Sequence, residues 1–292
     1  MNIKNLQTKY KNMRLSEKPL PTDNGELALY SHPFYIYIPK AAISDDEAVL
    51  LKLLFEPAPV TFSDKAANNW YTRLFSPTRQ QNDEIPNGSY RFTQIQLQAD
   101  TLSASLKKEW KAALYSFFSS HAVFLPISPD YHIVIEKMED SLLGEEELEA
   151  VASTLENDFY AKTYFFSGLF YQSGPEIQRL FAEEQKLFLE YPFTHAVQTV
   201  SSASLRVISK NLADTSIFQE IARFLKKEPD NIKLIERLFH NQGNISLSAK
   251  DLFLHRNTIQ YRIDKFYEQT NLSLRKMDDL LFVYLCSLDQ VE

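Results

Sequence analysis

The feature that most constrains this chain is a run of closely spaced helical patterns near its C-terminus, within residues 230–288. Apolar residues recur at helical spacing in each pattern, and the breaks between patterns are only a few residues long. Gly243 lies in the first break, where a left-handed residue commonly ends a helix. The second break is the short turn 253–255. Short helices joined in this way, the later one with a polar face, are typical of a helix-turn-helix.

Helix ends can also be predicted from residue type. Asp230 and Ser246 favour the capping position before the first and second helices. A third helix is predicted from about 256 to 270, and His255 is either its N-terminal cap or a residue that faces a ligand. The residues of this helix that are predicted to face inward are Ile259, Ile263, Phe266 and Tyr267.

The opposite face of the third helix carries side chains that hydrogen-bond to base edges and phosphates. These are Arg256, Asn257, Thr258, Gln260, Tyr261, Arg262 and Lys265. Residues 240–276 contain six Lys or Arg and three Asp or Glu, a local charge of +3 in a chain whose net charge is −7. This distribution favours double-stranded DNA as the partner. The alternative is a helical dimerisation module with a solvated polar face.

The residue order in this region resembles the PucR/CdaR family of bacterial transcription regulators. The resemblance rests on Asn241–Ser246, Ala249, Leu252, His255–Ile263 and Thr270–Leu272. Asn271 stands where the family usually has Gly, and residues 247–248 replace smaller side chains. The resemblance implies that His255, Arg256, Asn257, Thr258, Gln260, Tyr261 and Arg262 form the DNA-facing set. Lys265 is added because its charge suits a phosphate contact.

The rest of the chain predicts an α+β fold, with an antiparallel-sheet sensor region ahead of the all-α helix-turn-helix domain. Residues 26–39 read as two short strands, and Ser44 with Glu47 marks a helix start. The connector 57–90 is predicted to be loop-dominated with one helix near 65–74.

Residues 91–191 have the pattern β-α-β-β-α-β-α, an order that commonly gives an antiparallel sheet with helices on one face. This order resembles the degenerate GGDEF-like domain that often precedes such a helix-turn-helix. We therefore predict an N-terminal input segment (1–90), a degenerate GGDEF-like domain (91–195), a Ser- and Thr-rich linker (196–215) and a helix-turn-helix domain (216–292).

No enzyme, cofactor or metal site is predicted. The six glycines are never within five residues of each other, which excludes the glycine-rich phosphate-binding loops. The single cysteine, Cys286, allows neither an internal disulfide nor a cysteine-based zinc site. A nucleotide cyclase of the GGDEF fold needs metal-binding carboxylates on its central hairpin, where residues 128–130 supply only Asp130.

These observations predict a cytoplasmic, sequence-specific transcription regulator that responds to a small-molecule signal through its N-terminal region. A homodimer is expected because one helix-turn-helix reads only a few base pairs. The helices predicted at 175–191 and 280–288 are either dimer contacts or internal core. No membrane partner is expected, because no apolar stretch is long enough to span a bilayer. The alternatives are an adaptor that does not bind DNA and a nucleotide-processing enzyme.

Overall fold

The computed structural model describes residues 3–16, 26–31, 34–57, 62, 64–75, 85–98, 102–128, 130–190, 193 and 195–288. The chain divides into two compact units, Met1–Val200 and Ser201–Glu292. The domain boundaries predicted at 90, 195 and 215 stay predictions.

The first unit begins with a small antiparallel sheet whose strand order is β1-β3-β2-β4. Its strands are β1 (Arg14–Ser16), β2 (Glu26–Ser31), β3 (Phe34–Pro39) and β4 (Glu56–Pro57). Helices α1 (Ile3–Lys9) and α2 (Asp45–Leu54) share one apolar core with this sheet. The predicted start of α2 is confirmed, because Ser44 Oγ accepts a hydrogen bond from Glu47 N and Glu47 Oε2 accepts one from Ser44 N.

A larger sheet with the order β6-β7-β5-β8-β9 forms the rest of the first unit. Its strands are β5 (Ser89–Gln98), β6 (Val123–Pro126), β7 (Tyr131–Lys137), β8 (Lys162–Gln172) and β9 (Val197–Thr199). The predicted β-α-β-β-α-β-α order is confirmed, and the first four strands pair antiparallel. Strand β9 was not predicted, and it pairs parallel with β8.

Helices cover both faces of the larger sheet, whereas the sequence predicted helices on one face. Helices α4 (Ala104–Ser116) and α5 (Glu145–Phe159) pack against Ile95, and α3 (Lys65–Phe75) and α6 (Ile177–Glu190) pack against Phe92. Phe92 and Ile95 lie on opposite faces because side chains alternate along a strand. The central strand is therefore buried on both faces, which requires two helical layers.

The described residues of the second unit are helical apart from short connections. The helices are α7 (Val200–Leu212), α8 (Ser216–Lys227), α9 (Pro229–His240), α10 (Ile245–Asp251), α11 (Arg256–Thr270) and α12 (Met277–Leu288). They enclose one core, to which α12 contributes Leu280, Val283 and Cys286. Helix α6 likewise buries Ile177 and Phe181 in the first unit. Both helices named as dimer contacts or core thus contribute to internal cores.

The segment 196–215, which is predicted to be a linker, contains β9 and α7. Part of its Ser- and Thr-rich sequence is buried in the helical core. Ala203 and Ser209 are fully buried in α7, and Ser209 Oγ donates a hydrogen bond to the Leu285 carbonyl oxygen at 2.8 Å. A small or hydroxyl-bearing residue suits a closely packed helix face when its hydroxyl finds a partner.

Candidate DNA-binding surface

Helices α9 and α10 meet at a break that fixes where the second helix starts. Gly243 has a φ of +79°, and its N–H donates to the Leu238 carbonyl oxygen at 2.7 Å. Asn244 then caps α10, because its Oδ1 accepts hydrogen bonds from the N–H groups of Ser246 and Leu247, both at 3.1 Å. The prediction that Ser246 is the cap was wrong, because the side chain of Asn244 already accepts hydrogen bonds from the free N–H groups at the start of α10.

The cap predicted for α9 was also wrong. The helix begins at Pro229, and Glu228 occupies the capping position. Proline suits the first helical position because its φ is already helical and it has no N–H to satisfy. Asp230 therefore lies inside the first turn, where its carboxylate favours the helix N-terminus and remains able to pair with a cation.

A tight turn joins α10 to α11. The N–H of Phe253 donates to the Lys250 carbonyl oxygen at 3.1 Å, and that of Leu254 donates to the Ala249 carbonyl oxygen at 2.9 Å. Phe253 adopts the left-handed conformation, with a φ of +55°. These two bonds satisfy the last carbonyl groups of α10 and fix the direction in which α11 leaves the turn.

His255 is the N-terminal cap of α11. Its Nδ1 accepts a hydrogen bond from the Asn257 N–H at 3.2 Å, so this nitrogen carries no proton in the capped geometry. The capping role considered from the sequence is confirmed. A contact between His255 and DNA stays a prediction.

The inner face of α11 matches its sequence pattern at three positions of four. Ile259, Ile263 and Phe266 are buried. Tyr267 was predicted to face inward, but it is 48% exposed. One residue rotates the side-chain direction by about 100°, so Tyr267 lies beside the stripe that ends at Phe266.

The outer side of α11 leaves its polar groups available. Arg256, Asn257, Tyr261 and Lys265 are exposed, whereas Thr258 and Gln260 are half-buried. The following side chains make no hydrogen bond or ion pair with the part of the chain that the structure describes: Arg256, Asn257, Thr258, Gln260, Tyr261 and Lys265. Their donors and acceptors can therefore bind an external partner without breaking an internal contact.

Arg262 has a partner within the unit. Its Nη2 lies 3.2 Å from Asp230 Oδ2, so the ion pair links α11 to the first turn of α9. Arg275 similarly lies 2.5 Å from Asp264 Oδ1 and compensates an acidic group on α11. Both pairs are at the surface and contribute little to stability. Four Lys and Arg side chains of residues 240–276 therefore have no ion-pair partner among the described residues: Lys250, Arg256, Lys265 and Lys276.

Two exposed residues at this surface were missed by the sequence reasoning. Lys250 lies on α10, and its charge within a basic segment is the signal that identifies it. Phe253, in the turn, carries no such signal, because an aromatic residue beside Leu252 and Leu254 is ordinarily read as core. The structure instead leaves it 95% exposed.

Among the described residues, no group of three or more His, Cys, Asp or Glu side chains is placed to hold a metal ion. Asp130 forms an ion pair with Lys107 at 2.6 Å, while Pro129, in the same predicted hairpin, lies outside the described residues. None of the helices described is both long and apolar enough to cross a membrane.

Residues 232–287 match the family of the PucR C-terminal helix-turn-helix domain. The chain carries a PucR-type helix-turn-helix domain. The matched range starts within α9 and ends within α12, so it includes α10, α11 and most of the core on which they pack. The predicted resemblance to PucR/CdaR regulators is confirmed, and the chain is a DNA-binding transcriptional regulator. The GGDEF-like reading of the middle region stays a prediction, because the match lies wholly in the second unit.

Similarity to individual proteins extends beyond this domain. The chain is 28% identical over 271 residues to the protein YxkF of Bacillus subtilis (strain 168), covering 88% of each chain. It is 26% identical over 256 residues to the "Leucine-rich protein" of Streptococcus dysgalactiae subsp. equisimilis, covering 86% of this chain and 88% of that one. A shorter match, 40% identical over 73 residues, relates it to the carbohydrate diacid regulator of Escherichia coli (strain K12), covering 23% and 19%.

Proposed function

We propose that this PucR-type regulator binds DNA by placing the N-terminal end of α11 in the major groove. The observation that carries the proposal is the set of exposed polar side chains at that end without partners among the described residues. A recognition helix presents its first turns to base edges in this motif. The proposed contact set is His255, Arg256, Asn257, Thr258, Gln260, Tyr261, Arg262 and Lys265.

Different members of the set suit different parts of the duplex. Arg256, in the first turn, can read guanine with two parallel hydrogen bonds or bind a phosphate. Gln260 can pair with adenine, and Thr258 offers a hydroxyl to a phosphate or a methyl to thymine. Lys265 lies further along the helix, where a point charge suits the phosphate backbone.

Replacing Arg256 by Ala should weaken binding to a duplex enriched from a randomised library by the wild-type protein. Loss of a two-bond base contact costs about 1–3 kcal/mol, or roughly 5- to 150-fold in affinity. If Arg256 binds a phosphate instead of a base, the slope of log affinity against log salt concentration should also fall by about one unit. Fluorescence anisotropy at several salt concentrations measures both quantities, and Arg256→Lys separates guanine reading from simple charge.

The matched control is a variant with the same change in net charge at an arginine outside the proposed surface. Arg223, on α8, is exposed and already paired with Glu220. Arg223→Ala should therefore leave affinity nearly unchanged. Equal losses in the Arg256 and Arg223 variants would contradict the assignment of α11. A wild-type protein that binds no duplex in a salt-dependent manner would favour the adaptor alternative.

The regulator is also proposed to act as a homodimer on a two-fold site, because one helix-turn-helix contacts too few base pairs for useful specificity. The duplexes enriched by the wild-type protein should then contain an inverted repeat, with half-sites separated by a whole number of helical turns of about 10 base pairs each. Analytical ultracentrifugation of the complex should give two chains per duplex. One chain on an unrepeated sequence would contradict the dimer.

The first unit is proposed to receive the signal. It accounts for most of the chain, and it lies outside the matched helix-turn-helix domain. A small molecule is the proposed effector class, and the cytoplasm is the proposed location because the DNA partner is found there.

A further inference from the structure

Phe253 is exposed to a degree that its sequence context does not explain. Its side chain is 95% exposed, although Leu252 and Leu254 on either side pack against the core of the second unit. An isolated exposed aromatic residue is common on protein surfaces and needs no explanation by itself. Here, however, the residue occupies the turn between the two helices of the DNA-binding motif.

The backbone at this position also disfavours phenylalanine. Phe253 has a φ of +55°, the left-handed region in which Cβ crowds the neighbouring carbonyl oxygen and which Gly or Asn adopts most readily. Both backbone hydrogen bonds of the turn would form equally well with glycine at this position. The fold of the second unit is therefore served better by glycine, and the side chain of Phe253 contributes nothing to its core.

Exposure and backbone conformation alone do not indicate DNA. Tyr160, at the end of α5, is 94% exposed and has a φ of +53°, and it belongs to the first unit. What distinguishes Phe253 is its position. It lies three residues before Arg256, so the two Cα atoms are at most about 11 Å apart along the chain. The major groove is about 12 Å wide, so a duplex that receives Arg256 passes within reach of Phe253.

The charged side chains within three residues of Phe253 are Lys250, Asp251 and Arg256, which together carry a net charge of +1. Lys250 precedes it by three residues and Arg256 follows it by three, and both are exposed without an ion-pair partner in the described structure. This charge complements a phosphate backbone. The apolar parts of a duplex beside those phosphates are the deoxyribose rings and the thymine methyl groups.

We propose that Phe253 is a DNA-contact residue whose ring packs on the apolar surface of the duplex next to the base pairs contacted from α11. This inference rests on the proposed function. It adds to the contacts proposed for α11 an apolar, salt-independent contact made by an aromatic ring from the turn.

Phe253→Gly tests the inference on the full-length chain, with the duplex enriched by the wild-type protein as probe. Glycine removes the strain of the left-handed backbone conformation. The midpoint of thermal unfolding, followed by the helical circular dichroism signal, should therefore stay equal or rise. Affinity should nevertheless fall about tenfold, as expected for loss of a mostly buried phenyl ring. The slope of log affinity against log salt should match that of the wild type, because no phosphate contact is lost.

Tyr160→Gly is the matched control, since it makes the same replacement at an equally exposed left-handed aromatic residue outside the DNA-binding unit. It should leave DNA affinity unchanged. Wild-type affinity in the Phe253→Gly variant would overturn the inference while leaving the proposed function intact. A change in the oligomeric state of the free Phe253→Gly protein would overturn it too, by assigning Phe253 to a second copy of the chain. Absence of DNA binding by the wild type would overturn both proposals.

Discussion

Replacing Gly168 by Ala should destabilise the first unit by about 3 kcal/mol, because the added methyl group has no room. Its Cβ would lie 2.7 Å from the Phe92 carbonyl oxygen, well inside van der Waals distance, and against the Glu184 carboxylate. The carbonyl belongs to the central strand β5, and the carboxylate of Glu184 is buried between α6 and β8, so neither can move aside easily.

The crowding follows from an irregularity in the sheet. The register between β5 and β8 shifts where Arg91 pairs with Phe170 and Thr93 with Ser167, which leaves Gly168 and Leu169 opposite Phe92. An extra residue of this kind is a β-bulge. The Leu169 N–H then donates to Glu184 Oε1 at 2.8 Å. Glycine at 168 lets the carboxylate approach the bulge closely enough to make that bond.

Urea unfolding followed by tryptophan emission measures this effect, because both tryptophans of the chain, Trp70 and Trp110, are buried in the first unit. Gly174→Ala is the matched control, since a Cβ there would come no closer than 3.9 Å to its nearest neighbour. That variant should lie within about 0.5 kcal/mol of the wild type. A Gly168→Ala chain that unfolds at the wild-type urea concentration would show that the bulge yields without cost.

The spacing of apolar residues, together with the capping and turn residues at the ends of elements, predicted most of the order of helices and strands. The alternation along residues 92–97 gave β5, and the capping pair Ser44–Glu47 gave the start of α2. The third helix of the C-terminal domain was predicted at 256–270 and observed as Arg256–Thr270. These signals are local, and both partners of each interaction lie within a few residues, so one sequence suffices to find them.

Features that depend on tertiary partners were not predicted. Helix α7 is rich in Ser and buries Ser209 only because the Leu285 carbonyl group receives its hydroxyl. The ion pair between Arg262 and Asp230 was not predicted, since nothing in the local pattern shows that Asp230 lies beside it. Phe253 was predicted to lie in the turn, and nothing in the sequence indicates that its side chain is almost fully exposed. Each of these omissions concerns a contact, or a missing contact, that only the packing of the fold determines.

Glu184 illustrates the same limit. In the sequence it lies in the run Ala182–Lys186, which resembles the solvated face of an amphipathic helix. The structure buries it to 2% exposure beneath β8, where Oε1 accepts hydrogen bonds from the Leu169 N–H and the Tyr171 hydroxyl at 2.7 Å. Its Oε2 has no hydrogen-bond partner among the described residues. Burial raises the pKa of Glu184 to about 7, against the smaller opposing effect of the two hydrogen bonds.

This raised pKa makes the stability of the first unit depend on pH. Between the ordinary value of 4.5 and the folded value of about 7, the folded chain holds a proton that the unfolded chain releases. The contribution of Glu184 is therefore complete below pH 4.5 and is lost as the pH rises through about 7. Glu184→Gln keeps an oxygen acceptor for both donors and removes the titration. The variant should gain about 3 kcal/mol relative to the wild type across this interval, at about 1.4 kcal/mol per pH unit.

Urea unfolding curves recorded by tryptophan emission from acid to slightly alkaline pH give the difference directly. The control is Glu183→Gln, one residue earlier on α6, whose exposed carboxylate pairs with Arg179 at the surface. Other titrating groups act equally on all three proteins, so only the Glu184 variant should diverge from the wild type as the pH rises. If its curve instead runs parallel to that of the Glu183 variant, folding does not raise the pKa of Glu184, and water or a cation must reach the unpartnered oxygen when the chain is in solution.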